Sequence, residues 1–377
     1  MIQTKGNKQG ILEKFGVYYL NMFNRLDSQH NVFDLTDEEL TKRVNNITNK
    51  GIITSSLIGI LCVFPSIWVD IHFSGNTILV HYGLLAGVTI VSVMLEFYVL
   101  FIISLKAVHE VSELINIHAS KNELLNDGIF GVKNILARTA LEIPDPELKI
   151  LGIDPFERVS KKNLFIIGLL YKAKILLTNF ILKRALKWII GNTVIGVSVL
   201  YEAIPVEAFW NSVVIKRVVH QARLRLFGFA LANEIANNVV KDHLLRQLSP
   251  EARLGCLRAI GNAVVMARNY HPNMIILLLR FQELLQIAEE HQYDDWNKFL
   301  ETLNTVNSRE RFFLLDLFTV AIAFDGKVSH LEKENLASAY GKDFELYYPR
   351  LIRLTQLLRF GQLNAALTLC KLDFVAG

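Results

Sequence analysis

The chain has 377 residues and a formal net charge of +4; 51% of its residues are hydrophobic and only 20% are charged, and its mean hydropathy is +0.30. Soluble domains average about 45–50% apolar and about 25% charged residues, so these values exclude a disordered or fibrous chain and disfavour an ordinary cytosolic enzyme. The length fits roughly two to three domains, and Cys62, Cys256 and Cys370 lie too far apart for a CxxC site or a disulfide framework.

The polar opening MIQTKGNKQG is unlike a secretory signal peptide. Residues 1–50 read as peripheral helices. Ile11, Phe15, Tyr18, Tyr19, Met22, Phe23 and Leu26 follow i, i+3/i+4 spacing, an apolar stripe that suits either a lipid headgroup layer or another domain. LTDEEL at 35–40 is a helix start, with Thr36 as N-cap, Glu39 closing a capping box and Leu35 stapling to Leu40.

Gly51 to Val69 is an uncharged run of 19 residues, about 28 Å as a helix and close to the thickness of a hydrocarbon core. Pro65 and Trp68 sit near one end, where a kink and an interfacial ring are tolerated. After a polar turn, Asp70 to Asn76, the run Thr77 to Ser104 carries one formal charge, Glu96. The pair predicts a transmembrane helical hairpin over 51–104; two buried core helices are the alternative. Lys42, Arg43 and Lys50 precede the first run, Lys106 follows the second, and the turn holds no Lys or Arg. The positive-inside rule therefore puts both ends of the hairpin in the cytoplasm. A carboxylate inside a span is expensive and often functional, so Glu96 is a candidate ion or proton site. Counted from Thr77, however, it falls near the cytoplasmic edge, as an interfacial carboxylate.

Residues 105–160 are polar and helix-like to about Ala140, then a linker carries Pro144, Pro146 and Pro155. Arg158 to Tyr201 contains eight Lys or Arg residues and no acid. Lys172, Asn179, Lys183 and Lys187 fall on one helical face against an apolar remainder, which predicts a membrane-surface helix whose lysines bind anionic lipid; a solvated domain helix is the alternative. The run Trp188 to Ile204 is short for a span, and Pro205 follows it. Residues 188–215 are therefore expected to be re-entrant, turning near Pro205, within a basic membrane region at 161–215.

Residues 216–377 read as a helical bundle. Ser249-Pro250 is an N-cap followed by a first-turn proline, opening a helix to about Arg268; a break at 269–273 precedes a second helix to about His291. A third starts near Ser308. A fourth starts at a Ser329/Glu332 capping box and stops at Gly341, and a pair over 349–371 is split by Gly361. The fold class is thus all-α, a membrane hairpin with amphipathic and re-entrant membrane-surface helices and a cytoplasmic bundle.

No P-loop, dinucleotide, nucleophile-elbow or HExxH motif is present, so no enzyme activity and no cofactor are expected. His72 and His81 read as interfacial histidines. A calcium loop around Gly326 would place Ala321 and Ala323 at two ligand positions, which argues against calcium. The stretch Ala323-Phe324-Asp325-Gly326-Lys327-Val328-Ser329, with Glu332, resembles the helix–turn–helix signature of TerB-like modules, named for bacterial tellurite resistance, over about residues 245–375. Phe324 stands where a small residue is usual. The layout is also similar to bacterial integral membrane proteins in which a hairpin, an IPDP-like linker and an FWN segment, here Phe209-Trp210-Asn211, precede such a module.

The resemblance implies a bacterial inner membrane location. It also implies metal binding by acidic residues, for which only Asp325, Glu332 and Asp316 qualify; the residues themselves read as a turn and a cap, with no metal. Taken together, the expectation is a multi-pass protein with both termini cytoplasmic. It would be a membrane-anchored interaction or scaffold protein of an envelope or stress process, or alternatively a subunit of an oligomeric channel or transporter. Expected partners are the bilayer and its anionic lipids, a protein partner and a second copy of the chain. Nucleic acid is not expected, since 234–377 carries 16 basic against 17 acidic residues.

Overall fold

The computed structural model describes residues 11–22, 32–75, 77–115, 132–140, 153, 199–240, 242–268, 271–287 and 292–372. Among them there are helices and no strands. They form two compact units interleaved in sequence: Met1–Val44, His109–Arg158 and Gln221–Gly377 make the first, Asn45–Val108 and Val159–His220 the second.

In the first unit, α1 (Ile11–Met22) packs on a short helix over Val132–Ala140. Leu20, outside the expected stripe, is buried, whereas Tyr18 within it is exposed. The long helix α2 (Asp37–Phe73) starts in this unit and continues into the second without a break. The Thr36/Glu39 capping box is formed in both directions. Nothing between Lys42 and Lys50 breaks a helix, and Leu40, Val44 and Ile47 are buried at helical spacing. After α3 (Ile78–Ser112) and α4, the helix just given over Val132–Ala140, the chain is described again in α5 (Val199–Glu234). The turn expected near Pro205 is absent: α5 runs through it. Proline removes one backbone donor and strains one turn, a cost that packing against neighbouring helices offsets. A π-helical turn, Ile235–Val239, follows.

The bundle is completed by α6 (Asp242–Gln247), α7 (Pro250–Ala267), α8 (Pro272–Leu285), α9 (Trp296–Thr305), α10 (Ser308–Ala323), α11 (His330–Tyr340), α12 (Phe344–Phe360) and α13 (Leu363–Leu369). Its centre is α10 against α7, with α12 and α8 outside them. Ser249 caps α7, accepting from the Ala252 N–H, with Pro250 in the first turn, as its sequence predicts. Gly361, at φ 73°, ends α12. Two boundaries differ from expectation. Helix α8 stops at Leu285, where Gln286 turns left-handed, and α9 follows, opened by the Asp295 cap. Helix α12 begins at Phe344, with Pro349 inside it.

One long-range clasp closes this unit. Asp37, in the first turn of α2, accepts from the backbone N–H groups of Asn364 (2.8 Å) and Ala365 (3.0 Å) in α13. The Asn364 side chain donates to Leu35 O.

In the second unit, α2 and α3 are antiparallel. Ser66 and Thr89 hydroxyls meet at 3.0 Å, and Asp70 meets His81 at 3.3 Å near the connection at 74–77. Helix α5 lies antiparallel to α2. The missing side chains of Gly51 and Gly59 leave room for Ile215 on one and for Asn211 and the Glu207 backbone on the other. The segment 161–198, with the expected lipid-binding Lys172, Lys183 and Lys187, lies outside the described residues, as do Pro144, Pro146 and Pro155.

Candidate functional site

The candidate site is a polar seam inside the second unit. Glu96 on α3 is 7% exposed, Asn211 on α5 is 1% exposed and Ser55 on α2 is 0% exposed. Asn211 Nδ2 donates to Glu96 Oε1 at 2.8 Å and to Ser55 O at 3.2 Å, so one amide ties three helices together. Beside it the Ser56 and Ser212 hydroxyls meet at 2.8 Å, and the Ala208 carbonyl lies within hydrogen-bond distance of both. The Cys62 thiol lies within electrostatic reach of both Glu96 and Glu207. Gly59 is what lets the amide in: a Cβ there would stand 2.6 Å from Asn211 Nδ2.

The arrangement has a physical cause. Once buried, a carboxylate and an amide lower their free energy by facing each other rather than the apolar flanks. Those flanks point away: Met94, Leu95, Phe97 and Tyr98 around Glu96 are all exposed, as is Phe209 beside Asn211. Along the helices, Ser55 is five residues from Lys50 and Glu96 is ten from Lys106, about 7 and 15 Å inside the basic ends. Glu96 is therefore an inward-facing, buried carboxylate. Chemically the seam offers a carboxylate, an amide and hydroxyls, which can hold a proton or a small cation. Asn211 belongs to the FWN segment, and its part in the seam is new. Its sequence signal was modest: an Asn four residues after Glu207 and next to Ser212 in an otherwise apolar stretch.

The bundle's polar turn is a separate place. Asp325 Oδ1 accepts from Lys327 N at 3.0 Å, Gly326 adopts φ 75°, and Ser329 and Glu332 form the reciprocal capping box. Ser329 Oγ also donates to Met266 O at 3.1 Å. Glu332 is fully buried. Burial, then the neighbouring Asp325, pushes its carboxyl up to about 7. His271, buried at the start of α8 near Arg225 and Lys327, is held well below the usual histidine range, chiefly by burial. Asp316 is in an ion pair with Arg350 rather than at this turn. Ala321 and Ala323 are buried within α10. Among the described residues no three His, Cys, Asp or Glu side chains converge as metal ligands. His72 stacks on Trp68 at 4.7 Å, while His81 is the inward one.

No family model, curated protein or solved structure matches the chain.

Proposed function

We propose that the chain is a multi-pass integral membrane protein whose helical bundle serves as a membrane-anchored interaction or scaffold module. One observation carries the membrane part. Helices α2 and α3 are long and apolar enough to span a bilayer, yet only 28% of the apolar stretch of each is buried. Leu61, Trp68, Leu79 and Met94 face outward while Ser55, Ser66, Ser92 and Glu96 face inward. A core helix of a soluble domain buries its apolar side, so this inversion supports lipid as the surrounding solvent. The bases at Lys50 and Lys106 support cytoplasmic ends for the hairpin.

Helix α5 runs beside α2 through the same depth. Extending its register with α2 carries Val199 to the level of Ile67, at the far end from Lys50. From there α5 returns to the basic side, which supports a cytoplasmic bundle and C-terminus. A TerB-like bundle and a bacterial inner membrane are part of the same proposal, resting on the 323–332 turn. A second reading, a channel or transporter subunit, is favoured by the Glu96–Asn211 pair, because intramembrane carboxylates commonly lie on ion or proton paths.

The test is membrane fractionation with alkaline extraction, then cross-linking of the full chain in membranes. Release by alkaline carbonate would sink the membrane reading. Retention with partner cross-links to the bundle supports the scaffold. Retention with loss of ion flux in Glu96→Gln vesicles supports the second reading instead.

A further inference from the structure

The contacts in the second unit fix the level of every residue along its three helices. Gly51 faces Ile215, Ser55 faces Asn211 and Gly59 faces Glu207, so each step of four along α2 is matched by a step of four back along α5. One residue outward from the first of these pairs, Lys50 stands level with Lys216, and Arg217 follows. On α3, Asn211 sets Glu96 near the level of Ser55, and Lys106 lies ten residues beyond it. Lys106 is thus about a turn and a half beyond Lys50 along the common axis. All four cations are exposed. Glu110 follows Lys106 by one turn on α3, while Asp70, Glu96, Glu202 and Glu207 lie farther along the helices, toward the other end.

We propose that Lys50, Lys106, Lys216 and Arg217 form a basic collar that binds the phosphate headgroups of anionic phospholipids; this rests on the membrane reading above. The collar stands where the outward apolar flanks of α2 and α3 give way to polar sequence, the depth at which headgroup phosphates lie. Lysine and arginine stems run along apolar surface and deliver their charged heads to that layer. Each such cation contributes about 1 kcal/mol toward an anionic surface, about a fivefold change in affinity. The collar differs in residues and place from the amphipathic stripe of Lys172, Lys183 and Lys187.

The full chain is purified in mild detergent and offered phosphatidylglycerol or phosphatidylcholine, with bound lipid counted by native mass spectrometry. The wild type should retain phosphatidylglycerol preferentially. Replacing all four cations by Gln should erase the preference, and Lys50→Gln alone should weaken it about fivefold. Lys50→Arg with Lys216→Arg should keep it, as should Lys342→Gln with Lys371→Gln in the bundle. Equal retention of the two lipids by the wild type, or an undiminished preference in the fourfold Gln variant, overturns the collar. So does stabilisation by inorganic phosphate equal to that by the lipid. Alkaline extraction, run in parallel, separates this failure from failure of the membrane reading.

Discussion

Replacing Asn211 with Ala removes the one amide that joins α2, α3 and α5. Two hydrogen bonds go, to Glu96 Oε1 and Ser55 O. In a soluble core, each lost bond costs about 1 kcal/mol and a stranded buried acceptor about 1–3 kcal/mol more. Between membrane helices, measured pairs average about 0.6 kcal/mol. The expected loss is therefore about 1–3 kcal/mol, a fall in melting temperature of roughly 2–6 °C for a chain of this size. The assay is thermal unfolding of the full chain in detergent, followed by tryptophan fluorescence. Glu96→Gln keeps an oxygen for the Asn211 amide and should cost under about 1 kcal/mol. Asn211→Ala and Glu96→Ala should be less than additive, because each breaks the same bond. If Asn211→Ala costs no more than Val213→Ala on an exposed position of α5, the seam does not hold the helices and the reasoning fails.

Other outcomes follow from the same geometry. A single reactive cysteine at position 75 or 200, in an otherwise cysteine-free chain, should be labelled from outside intact cells, and one at 371 should be protected; labelling at 371 would reverse the topology. Gly326→Val should destabilise far more than Asp325→Asn, because position 326 adopts φ 75° and an added Cβ would meet Leu224 at 3.0 Å. A calcium-dependent rise in melting temperature that is lost in Asp325→Asn would instead reveal a metal site at this turn. Glu332 is held above its ordinary value of 4.5, at about 7. Its contribution, of order 3 kcal/mol, is thus fully present below about pH 4.5 and lost as pH rises through about 7. Glu332→Gln should flatten that part of the stability–pH curve, and an unchanged slope would refute the assignment.

The sequence made local chemistry plain. Thr36/Glu39, Ser249-Pro250, Ser329/Glu332 and Gly361 each act within four residues of themselves, and all four appear where their residue types require. The two apolar runs were equally legible, since hydropathy over twenty residues needs no knowledge of neighbours. Helix α2 was cut too short because Lys42 to Lys50 is polar, although polarity does not end a helix. Pro205 was over-read for the opposite reason: proline is a breaker only when nothing packs around it. Helix α9 had its signal, Asp295 as cap with Trp296, Phe299 and Leu303 at helical spacing, but sat in a stretch read as a connection. Contacts that depend on register stayed out of reach. Asn211 and Glu96 are 115 residues apart, and only the packed helices bring them together.

The clasp between Asp37 and α13 bears on the order of biosynthesis. Its hydrogen bonds join residues 327 and 328 positions apart. At roughly 5–20 residues per second, α13 leaves the ribosome some 15–50 s after Ser104. During that interval the first turn of α2 waits without its closing partner. The first unit, stitched from three separated stretches of chain, therefore matures late and depends on a contact of very high sequence separation, which slows folding. Truncation just before Leu363 would leave the clasp unmade and the bundle open, a species with buried surface exposed and prone to capture by chaperones or proteases.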